Sequence, residues 1–281
     1  MIRLNNVEKK YHGFDLKVSM NIKKGSITGL IGKNGAGKST IYKAILNLIK
    51  LDGGDIKVFD QDAKQLSNED KAKIGVILAD SFFGSYLNIK DIRNILRASY
   101  EEFDEDYFNE KVKQFGLPVD KAIKDFSFGM RAKLKMLCAL SHNAKLLLLD
   151  EPTLGLDVIA REEILEMLRE YMAKDEDNTI LISSHIASDL EHLCDEIFMI
   201  DDGRIILHED SDVLLSNYGI IKVSDELYAS MDLRALIKTK KEDYGYMLLV
   251  SDKQYYIDNY KDCVVEQGGI DNIIYMMVKG E

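Results

Sequence analysis

The chain has 281 residues, of which 46% are hydrophobic and 30% charged, and its formal net charge is −11. This is the composition of a globular protein, and the acidic balance argues against a general nucleic-acid binder, so we expect no nucleic acid among the partners. The longest aliphatic run, residues 146–149, is far shorter than the roughly 20 residues that cross a bilayer, residues 1–10 lack a secretory signal, and three distant cysteines indicate neither a zinc cluster nor a disulfide framework. We therefore expect a soluble, cytoplasmic chain.

The strand pattern changes along the first two hundred residues. Residues 2–8 and 14–22 are predicted strands of a small antiparallel sheet, the second because apolar and polar residues alternate. From residue 27 onward, short apolar strands alternate with helices, which is typical of a mostly parallel sheet covered on both faces. The predicted core strands are residues 27–31, 74–78, 146–149, 179–183 and 197–200.

Two stretches depart from this alternation. Residues 89–141 are mostly helical and charged, which predicts an inserted helical subdomain over about residues 85–141. After a tight turn at Asp201-Asp202-Gly203 and a strand at 204–208, the tyrosine-rich end predicts a strand at 247–251 and a helix at 270–278. We place a boundary near Ser216, which gives a main domain of residues 1–215 and a small α+β extension of residues 216–281.

The strongest motif occupies residues 32–40, between a predicted strand and a predicted helix over 40–49. Its sequence, GKNGAGKST, is that of a phosphate-binding loop in the setting that such a loop requires. Glycines let the backbone N–H groups point inward, and the N-terminus of the helix favours the same phosphates. Lys38 would reach the β- and γ-phosphates of a nucleotide, and the Ser39 hydroxyl would bind Mg²⁺. The expected nucleotide contacts are Gly32, Asn34, Gly35, Ala36, Gly37, Lys38, Ser39 and Thr40.

A second motif places two carboxylates after four leucines. Asp150 and Glu151 follow the buried strand at 146–149, and ligands of parallel sheets bind at the carboxyl ends of the strands. Asp150 would hold Mg²⁺ through water, and Glu151 would orient or deprotonate the attacking water. An acidic cap on a strand is the alternative.

Together, the ordered motifs make the chain resemble the ATP-binding subunit of an ABC (ATP-binding cassette) transporter, over roughly residues 1–215. Asp125-Phe126-Ser127-Phe128-Gly129-Met130 is similar to the family's signature motif, and Thr153-Leu154-Gly155-Leu156-Asp157 is similar to its D-loop. Ser183-Ser184-His185 resembles its switch-histidine loop. The resemblance implies the phosphate-loop nucleotide hydrolase fold, ATP and Mg²⁺ as ligands, and ATPase activity coupled to transport.

The resemblance also implies roles for individual residues. His185 would contact the γ-phosphate, and Tyr11 would stack on adenine, although Tyr11 could instead pack on the first sheet. Ser127 and Gly129 would bind the γ-phosphate of ATP held by a second cassette, either an identical chain or a close paralogue, and Asp157 would cross that interface. A transmembrane permease would be the other partner, which implies a location on the inner face of the cell membrane.

Two departures from the family pattern bear on mechanism. The Ser-x-Gly-Met signature resembles drug-export and lantibiotic- or bacitracin-resistance-type cassettes, which favours an exporter. The family's Q-loop glutamine is replaced by Ala79, and Asp80 beside it could substitute as a metal contact. Phe82, Phe83 and Tyr86 follow, and they could either dock a permease or pack in the helical subdomain.

Other functions stay open on sequence alone. A soluble ABC ATPase without a transport role and an ATP sensor that hydrolyses weakly because of Ala79 are the alternatives to a transport ATPase. The residues of the C-terminal extension name no ligand, and packing, regulation or dimer stabilisation would each suit it.

Overall fold

The structure is a computed structural model that describes residues 1–79, 83–266 and 269–280. The strands of the described residues are β1 (Ile2–Tyr11), β2 (Phe14–Ile22), β3 (Ile27–Ile31), β4 (Gly53–Val58), β5 (Gln61–Asp62), β6 (Ile74–Ile77), β7 (Leu146–Asp150), β8 (Thr179–Ser184), β9 (Glu196–Asp201), β10 (Arg204–Asp210), β11 (Gly219–Val223), β12 (Leu236–Glu242), β13 (Gly245–Val250) and β14 (Val264–Glu266). The helices are α1 (Lys38–Ile45), α2 (Asn68–Ala72), α3 (Ile89–Ser99), α4 (Glu105–Gln114), α5 (Phe128–Leu140), α6 (Val158–Lys174), α7 (Ser211–Ser216), α8 (Asp225–Ser230), α9 (Lys253–Asn259) and α10 (Ile270–Lys279).

The first sheet is antiparallel, as the alternating pattern predicts. Its strand order is β2-β1-β4-β5. Leu16, Val18, Met20 and Ile22 of β2 are all buried, whereas the residues between them are exposed. This one-sided burial follows from the period of two in a strand, and it turns the apolar face of the sheet toward α1.

The central sheet is mostly parallel, which confirms the predicted architecture. Its order is β10-β9-β3-β8-β7-β6, with only the β9–β10 hairpin antiparallel. The leucines of β7 face alternate sides, because Leu146 and Leu148 pack with α1 while Leu147 and Leu149 pack with the helical region. Burial on both faces explains the continuous leucine run.

The helix after the glycine-rich loop differs from its predicted bounds. It begins at Lys38, two residues earlier than expected, because Gly37 adopts a φ of 116° and turns the chain into the helix. It ends at Ile45, before Asn47 adopts a left-handed φ of 53°. The early start includes Lys38 in the first helical turn.

The residues predicted to form a helical insertion contain helices α3, α4 and α5, and a capping box at Asn88 and Asp91 begins the first of these helices. Helix α5 buries Leu134, Met136 and Leu137 against the sheet and α6. No helix in the described part of the chain is long and apolar enough to cross a membrane.

The C-terminal region forms a third sheet with the order β12-β13-β11-β14. One face, with Ile220 and Leu249, belongs to the main hydrophobic core, and the other face packs with Tyr256 in a separate small core. Strand β13 and helix α10 confirm the predictions for residues 247–251 and 270–278. Because α10 also joins the main core, the extension is packed onto the rest of the chain.

Candidate functional site

The glycine-rich loop connects the buried strand β3 to helix α1. Gly35 and Gly37 adopt φ values of 84° and 116°, which side chains other than glycine rarely tolerate. Asn34 and Gly35 are exposed at the tip of the loop, Ala36 is buried, and Ser39 and Thr40 are half-buried at the start of the helix. The backbone therefore has the curvature that the motif predicts, with the N-terminus of α1 at its centre.

The turn between β9 and β10 braces this loop from one side. The Gly203 N–H donates to the Ala36 carbonyl at 3.0 Å. The Lys33 ammonium lies 2.8 Å from Asp201 Oδ1, and this hydrogen bond raises the pKa of Lys33. The sequence predicts the turn but not this contact, because the contact depends on β9 being the neighbour of β3 in the sheet.

Lys38 lies at the floor of the loop and is almost fully buried. Its ammonium donates to the Gly32 carbonyl at 2.5 Å and lies 3.0 Å from Glu151 Oε1. Both residues of this ion pair are largely shielded from water. A buried ammonium with a carboxylate beside it is placed to exchange its partner for an incoming phosphate oxygen.

Of the two predicted carboxylates, Asp150 ends β7 and Glu151 follows it, and Ser183 near the end of β8 connects them. Ser183 Oγ donates to Asp150 Oδ1 at 2.7 Å and accepts the Glu151 N–H at 3.0 Å. Glu151 has a left-handed φ of 54°, which turns its side chain away from Asp150 and toward Lys38. The role of Ser183 is missed on sequence, and its position at the end of a buried strand parallel to β7 was the available signal.

His185 lies beside the same carboxylate. Its Nδ1 is 2.7 Å from Glu151 Oε2, and its backbone N–H lies 3.3 Å from that oxygen. The structure therefore brings together the three residues predicted to be catalytic, because β3, β8 and β7 are adjacent and end at one edge of the sheet. One carboxylate, Glu151, contacts both Lys38 and His185.

A buried phenol lies under this edge of the sheet. Tyr42 of α1 is fully buried and donates to the Leu181 carbonyl at 3.2 Å. Burial, and then the charge of Asp150, raises the pKa of Tyr42 well above its usual value. The phenol therefore remains neutral beside Asp150.

Ser127, Gly129 and Asp157 lie in a different surface depression of about 480 Å³. Ser127 begins α5 by accepting the Met130 N–H at 3.2 Å, and Asp157 begins α6 by accepting the Ala160 N–H at 2.8 Å. The structure thus joins the predicted signature and D-loop residues to each other but not to Lys38.

Tyr11 ends β1, about half-exposed, with its ring 6.5 Å from that of Phe14. The Phe14 ring in turn lies against Gly37, where an added Cβ would come within 3.0 Å of it. The hairpin between β1 and β2 therefore connects Tyr11, through Phe14, to the glycine-rich loop.

Ala79, at the position of the family's Q-loop glutamine, lies close to the two carboxylates. Ala79 lines a cleft of about 270 Å³ together with Asp150 and Glu151. Asp80 and Phe82, which we singled out as a metal contact and a docking residue, lie outside the described residues.

The oxygen donors fit a magnesium ion. Asp150 offers a carboxylate that accepts a hydrogen bond from Ser183, and Ser39 offers a hydroxyl at the start of α1. Mg²⁺ prefers one or two such oxygens and completes its shell with water and phosphate. These two protein oxygens leave the other positions around Mg²⁺ for water and the phosphates of the nucleotide, so the ion would bind together with the nucleotide.

Comparison with known proteins identifies the family. A family model described as ABC transporter matches residues 16–154. The chain is 31% identical to the ABC transporter ATP-binding protein YtrB of Bacillus subtilis (strain 168), over 83% of this chain and 80% of that protein. It is 38% identical to the lantibiotic transport ATP-binding protein SrtF of Streptococcus pyogenes, over 75% of this chain and 92% of that protein.

A solved structure of the ATP-binding subunit of an ABC transporter matches 76% of this chain and 92% of its own, with a TM-score of 0.67 and 25% identity. The fold, the ordered motifs and these relatives agree on an ATPase that binds ATP with Mg²⁺. The chain belongs to the ABC transporter family, as one of its ATP-binding proteins.

Proposed function

We propose that this chain powers a separate transmembrane permease, an exporter, by ATP-driven closure of two cassettes that meet head to tail. The contact of Glu151 with both Lys38 and His185 carries this proposal. It supplies a phosphate-directed cation, a base and a γ-phosphate sensor within one hydrogen-bonded unit at the end of the phosphate loop. We propose a cytoplasmic location at the inner face of the membrane, through the permease.

Each residue of the site has a role in this proposal. Loop N–H groups and Lys38 bind the β- and γ-phosphates, and Tyr11 stacks on adenine. Glu151 orients the attacking water and takes its proton, while His185, which is hydrogen-bonded to Glu151, contacts the γ-phosphate. Ser39 and Asp150 would hold Mg²⁺, which when bound neutralises phosphate charge.

The separate position of the signature residues supports a site completed by a second cassette. Phe128, Val158 and Ile159 are 60%, 79% and 75% exposed, and they flank Ser127 and Asp157. Large apolar side chains so exposed favour burial against a partner. In the proposed dimer, Ser127 and Gly129 contact the ATP of the other cassette, and Asp157 joins the two sites.

A second surface suits the permease. The edge strand β6 and helices α3 and α5 enclose a cleft of about 390 Å³ that is lined mostly by apolar side chains, including Val76, Phe83 and Ile95. A short amphipathic helix of a membrane subunit would bury its apolar face there. The likeness to SrtF, a lantibiotic transport ATP-binding protein, supports a role in transport. The direction of transport that we propose rests on the Ser-x-Gly-Met signature.

Replacing Glu151 with Gln tests the proposal. We expect ATP binding to be retained, turnover to fall at least about 100-fold because the general base is lost, and an ATP-bound dimer to accumulate. Phosphate release, nucleotide titration and light scattering measure the three effects. Glu101→Gln, at an exposed glutamate of the helical region, is the matched control and should behave as the wild type. Undiminished turnover of the Glu151→Gln variant would remove Glu151 from the mechanism.

A further inference from the structure

The start of the terminal helix α10 contacts the segment that follows His185. Asp271 Oδ1, in the first turn of α10, accepts the Ala187 N–H at 3.0 Å, although the two residues are 84 positions apart. Ala187 is fully buried, whereas the Asp271 side chain lies at the surface. The C-terminal region therefore supplies the acceptor for a buried N–H group two residues beyond the histidine.

A second hydrogen bond runs in the opposite direction between the same two segments. Glu191 Oε1 accepts the Ile270 N–H at 3.1 Å, at the N-terminus of α10. Gly269 lies so close that an added Cβ would come within 2.6 Å of the same carboxylate oxygen. Each segment thus provides a carboxylate for an N–H group of the other, and the joint is reciprocal.

Apolar packing supports this joint. Ile270, Ile273 and Met276 are buried, and they belong to the hydrophobic core that contains Ala187 and Leu190. The remaining small core of the C-terminal region does not include them. Helix α10 therefore packs into the main hydrophobic core next to the histidine loop.

Three consecutive N–H groups define the path of the loop. The His185 N–H lies 3.3 Å from Glu151 Oε2, the Ile186 N–H donates to Ser184 Oγ at 2.9 Å, and the Ala187 N–H donates to Asp271. The Ala187 carbonyl then accepts the N–H groups of Leu190 and Glu191. Of the three acceptors, Glu151 and Ser184 belong to the nucleotide site or its flanking strand, whereas Asp271 belongs to the C-terminal helix α10.

We propose that Asp271 is a positioning residue for His185, so that the C-terminal region tunes ATP hydrolysis through the histidine loop. The inference rests on the proposed function, in which His185 acts beside Glu151 on the γ-phosphate. Without an acceptor the buried Ala187 N–H must seek water or another partner, and the loop with His185 shifts. Small displacements of a catalytic group lower turnover without removing substrate contacts.

Replacing Asp271 with Ala in the full chain tests the inference, with steady-state ATP hydrolysis as the measurement. We expect kcat to fall about tenfold while KM for ATP stays within about twofold, because the phosphate loop and Tyr11 are untouched. Asp271→Asn retains a carbonyl oxygen in the same position, so it should restore kcat to within about twofold of the wild type. Asp258→Ala, at an exposed aspartate of α9, is the matched control with unchanged kinetics.

Hydrogen exchange separates positioning from general stability. In Asp271→Ala we expect faster exchange confined to residues 185–191 and an unchanged midpoint of thermal unfolding. A wild-type or raised kcat in Asp271→Ala overturns the inference, as does an equal loss in Asp271→Asn. A turnover insensitive to Glu151→Gln would instead overturn the proposed function, whatever the Asp271 variants do.

Discussion

Gly37 ends the phosphate loop in a backbone conformation that only glycine adopts without strain. Its φ of 116° turns the chain from the loop into α1, and this turn places Lys38 under the loop. Glu151 also has a positive φ, of 54°, and it lacks the freedom of glycine. Such a conformation in a residue with a side chain marks a position that its surroundings hold in place, here through Ser183, Lys38 and His185.

We expect Gly37→Ala to weaken ATP binding and destabilise the fold. The left-handed conformation alone costs a residue with a Cβ about 1–2 kcal/mol. The new Cβ would also lie 3.0 Å from Leu16 Cδ1 and from Phe14 Cζ, so these two side chains must shift, and the Phe14 ring lies next to that of Tyr11. Thermal unfolding and nucleotide titration measure the two effects.

Gly13→Ala is the matched control for this variant. Gly13 has a φ of 81°, but an added Cβ there meets no atom within 4 Å. It should show the conformational cost without the loss of ATP affinity. Equal behaviour of the two variants would mean that the space around Gly37 has no influence on the nucleotide site.

At the scale of elements, the two ends of α5 lie in different surroundings. Its N-terminus presents Ser127 at the surface. His142 lies just past its C-terminus, where it is buried and stacks on Tyr100 with ring centroids 4.0 Å apart. His142 Nδ1 lies 3.0 Å from the Cys138 carbonyl oxygen. Burial lowers the pKa of His142.

This lowered pKa predicts a loss of stability on acidification. Above about pH 6.5, the ordinary pKa of histidine, His142 is neutral in both the folded and unfolded states. As the pH falls below this value, the unfolded state takes up a proton that the folded state resists, so the free energy of unfolding decreases. We expect the midpoint of thermal unfolding to fall between about pH 7.5 and pH 5.5 by more in the wild type than in His142→Phe. The phenylalanine ring of that variant would retain the stack on Tyr100 but cannot titrate.

The exposed His12 provides the control for this pH dependence. His12→Gln should retain the wild-type slope of unfolding midpoint against pH, because this side chain is exposed in the turn between β1 and β2 and lacks the burial that His142 has. A His142→Phe variant with the wild-type slope would show that other groups cause the acid sensitivity.

At the scale of the whole molecule, the two proposed docking surfaces lie on different parts of the fold. The surface depression that contains Ser127 and Asp157 lies between α5 and the start of α6. The apolar cleft lies along β6, the edge strand of the central sheet. Helix α5 lines both of them. A movement of α5 would therefore change the shape of both surfaces. This arrangement suits the proposed coupling of ATP binding and hydrolysis to a membrane partner.

A charge placed in the cleft should uncouple the permease without affecting the ATPase. Ile95 of α3 lines the cleft and is 37% exposed, so Ile95→Glu should fold normally and keep its basal turnover. We expect it to lose co-purification with the proposed transmembrane permease, because burying a carboxylate without a partner is unfavourable. Leu48→Glu, at an exposed leucine outside the cleft, is the matched control. Retained co-purification in Ile95→Glu would exclude this cleft as the docking site.

The local sequence accounts for the strands of the central sheet, for β2 and for the glycine-rich loop, and it singles out the residues that we propose bind the nucleotide, whereas β4, β5, β11, β12 and β14 are not predicted. Glycine spacing, the leucine run before Asp150 and the alternation in β2 each report a conformation that neighbouring residues impose on one another. Local patterns are less informative about where a helix begins and ends. Helix α1 begins two residues earlier than predicted, because the backbone conformation of Gly37 sets its start.

The contacts between distant segments come from the assembled fold. Ser183 links Asp150 to Glu151 because β7 and β8 are neighbours, and Asp201 reaches Lys33 because β9 pairs with β3. Asp271 meets Ala187 only because an apolar helix from the end of the chain packs into the main core. Strand order and helix docking depend on the packing of the whole chain, so no window of sequence contains them.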